Sequence, residues 1–167
     1  MSARLWYSQF DVYDCVRRVG GLLLEAQNPV HLERLYILDF FFANAPLLHR
    51  VTMTAEVRSK FRELEIPKPE KVFLSYPASP LLFHQMESSQ TSAVRALAGK
   101  GLLETESFAG KSAQLSALGS SLFADITNRI DRVQETALAR FLVNQYSASH
   151  DNGMSSMRSS CGLRRTV

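Results

Sequence analysis

The sequence predicts a mainly α-helical protein with a small β-hairpin. More specifically, it predicts a winged helix-turn-helix domain with extra helices at its N-terminal side and a long helix after it. Three observations predict this. Apolar residues recur at helical spacing in successive segments. A short helix, a tight turn and a second helix ending in KGLLE precede two short strands around a glycine turn. An apolar stripe then runs from position 122 to position 141. The expected organisation is one winged-helix domain over 1–146, followed by a flexible Ser-rich tail over 147–167. Within the domain, 10–64 forms an N-terminal helical part, 79–117 the helix-turn-helix and wing, and 120–146 the long C-terminal helix.

The first helix is expected over residues 11–26, where Val12, Val16, Val19 and Leu23 share one face and Arg17, Arg18 and Glu25 fall off it. Gly20 and Gly21 weaken that helix, although small residues also let another chain segment approach closely. Asn28 and Pro29 read as a helix start, a capping side chain followed by a proline at the first turn. Leu32, Leu35, Ile37, Leu38, Phe40, Phe41 and Phe42 make the next helix apolar nearly all round, so it is expected at the centre of the core. Ala45-Pro46 ends it. A third helix over about 54–64 turns Met53, Val57 and Phe61 inward, and Ile66-Pro67-Lys68-Pro69 forbids its continuation.

Ser79-Pro80 opens a short helix that buries Leu82, Phe83 and Met86. Ser88 and Ser89 offer caps for a second helix through Ala98 with Ala93, Val94 and Leu97 inside, and Gly99-Lys100-Gly101 stops it. Residues 102–108 and 112–116 then read as two strands around the turn Ala109-Gly110-Lys111. Leu122, Ile126, Ile130, Val133, Ala137 and Phe141 form a continuous helical stripe that outreaches a small winged-helix core. After Ser147 the periodicity stops, and the remainder reads as a mobile tail.

Composition narrows the function classes. The 167 residues are 46% hydrophobic and 21% charged, an ordinary globular balance that excludes a disordered or collagenous chain. Nineteen basic and sixteen acidic residues leave a net charge of +3, too mild for a protein that coats nucleic acid. Cys15 and Cys161 form no framework and are expected as reduced thiols. With no secretory signal at the N-terminus and no apolar stretch long enough for a bilayer, the expected setting is soluble and cytoplasmic, without a membrane.

The sequence nominates no catalytic residue, no metal ligand set and no cofactor. His31, His49, His84 and His150 are scattered, and no phosphate-binding, dinucleotide or nucleophile-elbow motif is present. His84, beside Phe83, reads as a structural histidine. Asp39 is the polar oddity, a carboxylate inside the most apolar helix, and it demands a partner. Arg34, Arg50 and Arg95 are the candidates, in a structural or interface ion pair. The second helix of the helix-turn-helix presents Ser89, Gln90, Ser92, Arg95, Ala96 and Lys100 outward, few charges for reading bases. Arg95, Lys100 and the hairpin-tip Lys111, with Lys68 and Lys71, suit a weak and non-specific contact with the phosphates of double-stranded DNA.

Three segments together carry a family resemblance: FDVYDCVRRVGGLLLEA at 10–26, LERLYILDFFFANAPLL at 32–48 and SPLLFHQMESSQTSAVRALAGKGLLE at 79–104. Over roughly 10–122 the chain resembles the middle component of bacterial ABC-three-component conflict systems, to which the accessory subunit of Lamassu anti-phage and anti-plasmid systems is similar. The resemblance implies a non-enzymatic winged-helix subunit that docks on an SMC-like ABC ATPase. A separate effector, usually a nuclease, would do the cutting. It further implies that Asp39, Phe40 and Phe41 anchor the core or a partner interface, while Arg95, Lys100 and Lys111 approach DNA held by the ATPase. The alternative is a winged-helix transcriptional regulator whose 120–146 helix makes a homodimeric coiled coil and whose Gln90 or Arg95 reads an operator. A hydrolase would need a perturbed acid or nucleophile, and the sequence nominates none.

Overall fold

Asp11 starts the first helix by turning its carboxylate back to accept from the Asp14 N–H at 2.9 Å. The computed structural model describes residues 7–72, 75–129 and 132–167. Helix α1 (Val12–Glu25) buries Cys15, Arg18, Val19, Gly20, Leu22 and Leu23. Arg18, expected off the apolar face, is therefore inside the protein. It lies three residues after Cys15 and four before Leu22, so helical geometry puts all three on one side.

The second helix begins later than Asn28-Pro29 suggests. Val30–His31 forms a short strand, β1, and helix α2 (Leu32–Ala43) follows with His31 as its cap. The His31 ring nitrogen accepts from the Glu33 N–H at 3.3 Å. The strand exists because its partner, β2 (Ser112–Ala113), lies antiparallel beside it in the register Val30↔Ala113 and His31↔Ser112. Such long-range pairing overrides the local start signal. Asn44 closes α2 by donating its side-chain amide to the Phe40 carbonyl at 2.9 Å, and Pro46 sits in the 3-10 turn Ala45–Arg50. Helix α3 (Ala55–Glu63) follows, capped by Thr54.

Helices α4 (Ser79–Gln85) and α5 (Glu87–Gly99) meet at Met86. Helix α5 starts before the expected serine caps. Ser89 is thus an interior residue that donates its hydroxyl to the Met86 carbonyl at 2.9 Å. Ala93, Val94 and Leu97 face the core. Gly101 takes a left-handed φ of 69°, and the Leu102 N–H returns to the Leu97 carbonyl at 2.9 Å, which ends the helix.

The expected hairpin is present only at its base. Leu103 bridges Leu115, and the Glu104 N–H donates to the Gln114 carbonyl at 2.9 Å. Between these strands, Thr105–Ala109 forms a short helix, α6, instead of a strand. A single alternation of charged and apolar residues fits one helical turn as well as it fits a strand, and β2 already has its partner in β1.

The expected long helix over 120–146 is interrupted. Helix α7 (Ala117–Arg129) and helix α8 (Val133–Phe141) are separated at Arg132, whose φ of −124° and ψ of 58° are not helical. Ile130 of the expected stripe lies outside the described residues. The stripe reads as continuous because each helix is amphipathic in its own right, and periodicity alone does not record a non-helical residue such as Arg132. Helix α8 runs on into a π-helical turn, Leu142–Ser147.

The expected flexible tail folds back onto the body. Helix α9 (Met154–Cys161) buries Met157, and Leu163 and Arg165 beyond it are buried too. Arg34 holds the approach by donating to the Ser147 carbonyl at 2.8 Å and to the His150 carbonyl at 2.9 Å. These anchors are single residues in a polar context, so they leave no periodicity to read.

At the centre, Phe40 packs edge-on against Phe41 at 5.1 Å and Phe83 at 5.6 Å, and Phe41 meets Tyr146 at 5.8 Å. Gly20 lets the ring of Phe123 lie on α1, where a Cβ would stand 2.0 Å from it. Among the described residues, no helix is long and apolar enough to cross a membrane. Both cysteines are free thiols.

Candidate functional site

The polar centre is built from α1, α2 and α5 around Asp39, which is fully buried. Arg18 of α1 donates its Nε to Asp39 Oδ1 at 2.7 Å, and its Nη2 approaches Oδ2 at 3.4 Å. Gln90 of α5 donates to the same Oδ2 at 2.8 Å and to the Tyr36 carbonyl at 2.9 Å. Cys15 adds a thiol contact to Oδ2 at 3.5 Å. The far side of the Arg18 guanidinium donates to Asp14 at 2.6 Å and to the Ser8 carbonyl at 3.1 Å. The partner of Asp39 is thus Arg18, and not Arg34, Arg50 or Arg95.

This arrangement holds charge without activating it. Burial opposes the Arg18 cation, but the adjacent Asp39 outweighs burial and raises the guanidinium above its ordinary pKa. Burial, reinforced by Asp39, pushes the Cys15 thiol far up, which favours its protonated form. Every oxygen of Asp39 is engaged by a donor, which suits an anchor for three helices.

A second polar layer ties the C-terminal segment to this centre. Gln90 Oε1 accepts from the Arg165 guanidinium, which also donates to the Phe83 carbonyl. The same guanidinium lies 3.9 Å from the centroid of Phe83 and 5.2 Å from that of Tyr36. Glu33, buried on α2, accepts from Arg158 Nε at 2.8 Å and from the Arg165 backbone N–H at 3.0 Å. Burial alone would raise the Glu33 pKa. The Arg158 and Arg165 hydrogen bonds outweigh it and hold the carboxyl below its ordinary range.

Arg95 and Lys100 are exposed on α5, as is Lys111 in the turn before β2. Arg95 lies within α5, whereas Lys100 caps its C-terminal end with a ψ of 3° that is not helical. Lys111 has a left-handed φ of 60°, and its amine donates to the Val167 carbonyl at 2.7 Å. Gln90 and Ser89, expected to face outward with Arg95, are buried. Phe40 and Phe41 are core side chains, and His84 is exposed beside Glu87 at 3.4 Å. Exposed apolar side chains among the described residues include Tyr13, Leu81, Leu118 and Val133 instead.

Arg18, Glu33, Gln90, Arg158 and Arg165 were not singled out by sequence reasoning as a set. For Arg18 a signal existed, because its spacing to Cys15 and Leu22 places it where Asp39 needs a cation. For Arg158 and Arg165 there was none, since nothing local marks a polar segment as packed. Among the described residues, no group of three or more His, Cys, Asp or Glu is placed to hold a metal.

No curated protein and no solved structure matches the chain. A family model does: that of the ABC-three component (ABC-3C) system Middle Component 5, over residues 4–166. That span takes in α1 through α9, including the C-terminal segment that closes over Gln90. The chain belongs to the Middle Component 5 family of ABC-three component systems.

Proposed function

We propose that this middle component is a non-catalytic winged-helix subunit of a cytoplasmic anti-phage or anti-plasmid defence complex of the Lamassu kind. It docks on an SMC-like ABC ATPase and helps couple DNA sensing to a separate effector of nuclease type. The observation that carries this reading is the family match over 4–166, which takes in every described element.

The winged-helix assignment is supported by element order. Strand β1 follows α1 and pairs with β2, which follows the α4–α5 helix pair. The bridge from Leu103 to Leu115 supplies the base of a wing, with α6 at its tip. A non-catalytic role is supported by the use made of the buried ionisable groups, since Arg18, Asp39 and Cys15 are locked together away from solvent. Arg95, Lys100 and Lys111 give a dispersed basic surface, which favours weak phosphate contact over base reading. The homodimeric regulator loses its main supports. The helix it would use as a coiled coil is broken at Arg132, and Gln90 lies in the core.

Titration of two unrelated duplexes against the purified chain, at rising salt, tests the DNA part of this reading. Weak binding that is equal for both and fades with salt supports it. Tight binding to one discrete sequence overturns it in favour of a regulator.

A further inference from the structure

Residues 162–167 follow the last helix and close over the α2–α5 surface. Gly162 begins the segment at a left-handed φ of 72°. Leu163 inserts its side chain into the core, where it is 1% exposed. Two residues later, Arg165 enters a slot formed by the Phe83 ring, the Tyr36 ring and Gln90. Other side chains hold the main chain of the segment: Glu33 accepts from the Arg165 N–H at 3.0 Å, and Lys111 donates to the Val167 carbonyl at 2.7 Å.

The slot has the chemistry of an arginine receptor. A planar cation lies over one aromatic face and near a second, which a lysine point charge would fill poorly. The acceptors that receive its N–H groups, Gln90 Oε1 and the Phe83 carbonyl, stand on α5 and α4. Gln90 is fixed by Asp39 and the Tyr36 carbonyl, so the receptor belongs to the helical body and not to the segment that fills it. Both acceptors are neutral. The guanidinium has exchanged its hydration for hydrogen bonds and ring faces, a less firm hold than Arg18 has on Asp39.

We infer that Tyr36, Phe83 and Gln90 form a recognition site for an arginine on an extended segment of a partner chain. That segment carries an apolar residue two positions before the arginine, and residues 162–167 occupy the site in cis. Three features of the occupant define the partner: a leucine-like side chain for the Leu163 socket, a backbone N–H for Glu33, and a guanidinium for the slot. A partner segment of this pattern displaces the cis copy, with Gly162 as the joint at which it lifts. The site involves none of Arg95, Lys100 or Lys111 as a DNA ligand, so it stands or falls separately from the reading above.

The test uses full-length chains and a fluorescent peptide of the sequence of residues 162–167. The Arg165→Ala chain, which lacks the competing guanidinium, is expected to bind this peptide about tenfold more tightly than the unaltered chain does. It is also expected to bind a peptide carrying Arg165→Ala or Arg165→Lys about tenfold more weakly. Equal binding of all three peptides, or no binding to an Arg165→Ala chain with native circular dichroism, overturns the inference. Should that variant fail to fold, hydrogen exchange of the unaltered chain decides, in N-ethylguanidinium at a concentration that leaves Tm unchanged. Faster exchange confined to 162–167, absent with ethylammonium, supports the site; identical exchange with the two cations overturns it.

Discussion

Arg18 Nε stands 2.7 Å from Asp39 Oδ1, and neither side chain reaches solvent. A buried pair of this kind contributes little beyond what a well-packed apolar pair would, yet breaking it strands a charge in the core. Arg18→Met or Asp39→Leu alone is therefore expected to cost about 3–5 kcal/mol in urea unfolding. The double variant should cost clearly less than the sum, by about 1 kcal/mol or more. Additive losses would contradict the pairing.

Much of this architecture was legible in the sequence, and the illegible parts share a cause. The apolar run of α2, the proline that opens α4 and the glycine stop of α5 are local signals, and each found its element. Asp39 announced a buried partner, and the spacing of Arg18 to Cys15 and Leu22 points to it, although the stripe of Val12, Val16, Val19 and Leu23 places Arg18 off the apolar face. The strand at Val30 depends on a partner 83 positions away at Ala113, which no window of local sequence contains. The C-terminal segment is held by Met157, Leu163, Arg158 and Arg165, isolated anchors among serines. Gln90 shares the inward face of Ala93, Val94 and Leu97 by helical spacing, but a polar residue there reads as surface until its buried partners, Asp39 and the Tyr36 carbonyl, are known.

Glu33 gives the molecule a pH dependence. Its folded pKa is depressed by Arg158 and the Arg165 N–H against the opposing effect of burial, while the unfolded value is about 4.3. The carboxylate's contribution is thus fully present above the unfolded pKa and is lost as pH falls through the depressed folded value. Thermal scans of the unaltered chain and Glu33→Gln should differ by a constant Tm at neutral pH. The difference should shrink as pH falls below about 4. A difference that grows on acidification would reverse the assigned sign.

Two adjacent glycines on α1 should respond oppositely. A Cβ on Gly20 would meet the Phe123 ring at 2.0 Å, so Gly20→Ala is expected to destabilise by about 1–3 kcal/mol. Gly21 has nothing within 4 Å of the same atom, and Gly21→Ala should stabilise the helix by about 0.5–1 kcal/mol. Combining Gly20→Ala with Phe123→Leu should recover part of the loss. Equal effects at the two positions in chemical denaturation would contradict the α1–α7 packing.

Lys111 is an exposed basic residue whose amine also donates to the Val167 carbonyl, so its DNA role is read from the salt dependence and not from affinity alone. If it meets a phosphate, Lys111→Ala should weaken binding uniformly across sequences and reduce the salt-dependence slope by about 1. Fluorescence anisotropy across a salt series measures this directly. An unchanged slope would remove Lys111 from the interface and leave Arg95 and Lys100 to be tested in the same way.

The central claim is that this chain works as a subunit, and mass measurement tests it most directly. The tagged chain is co-expressed with its neighbouring genes, captured, and weighed intact by native mass spectrometry. A stoichiometric assembly with a large ABC ATPase is the predicted result. A homodimer carrying no ATPase, eluting alone at every expression ratio, would contradict the account.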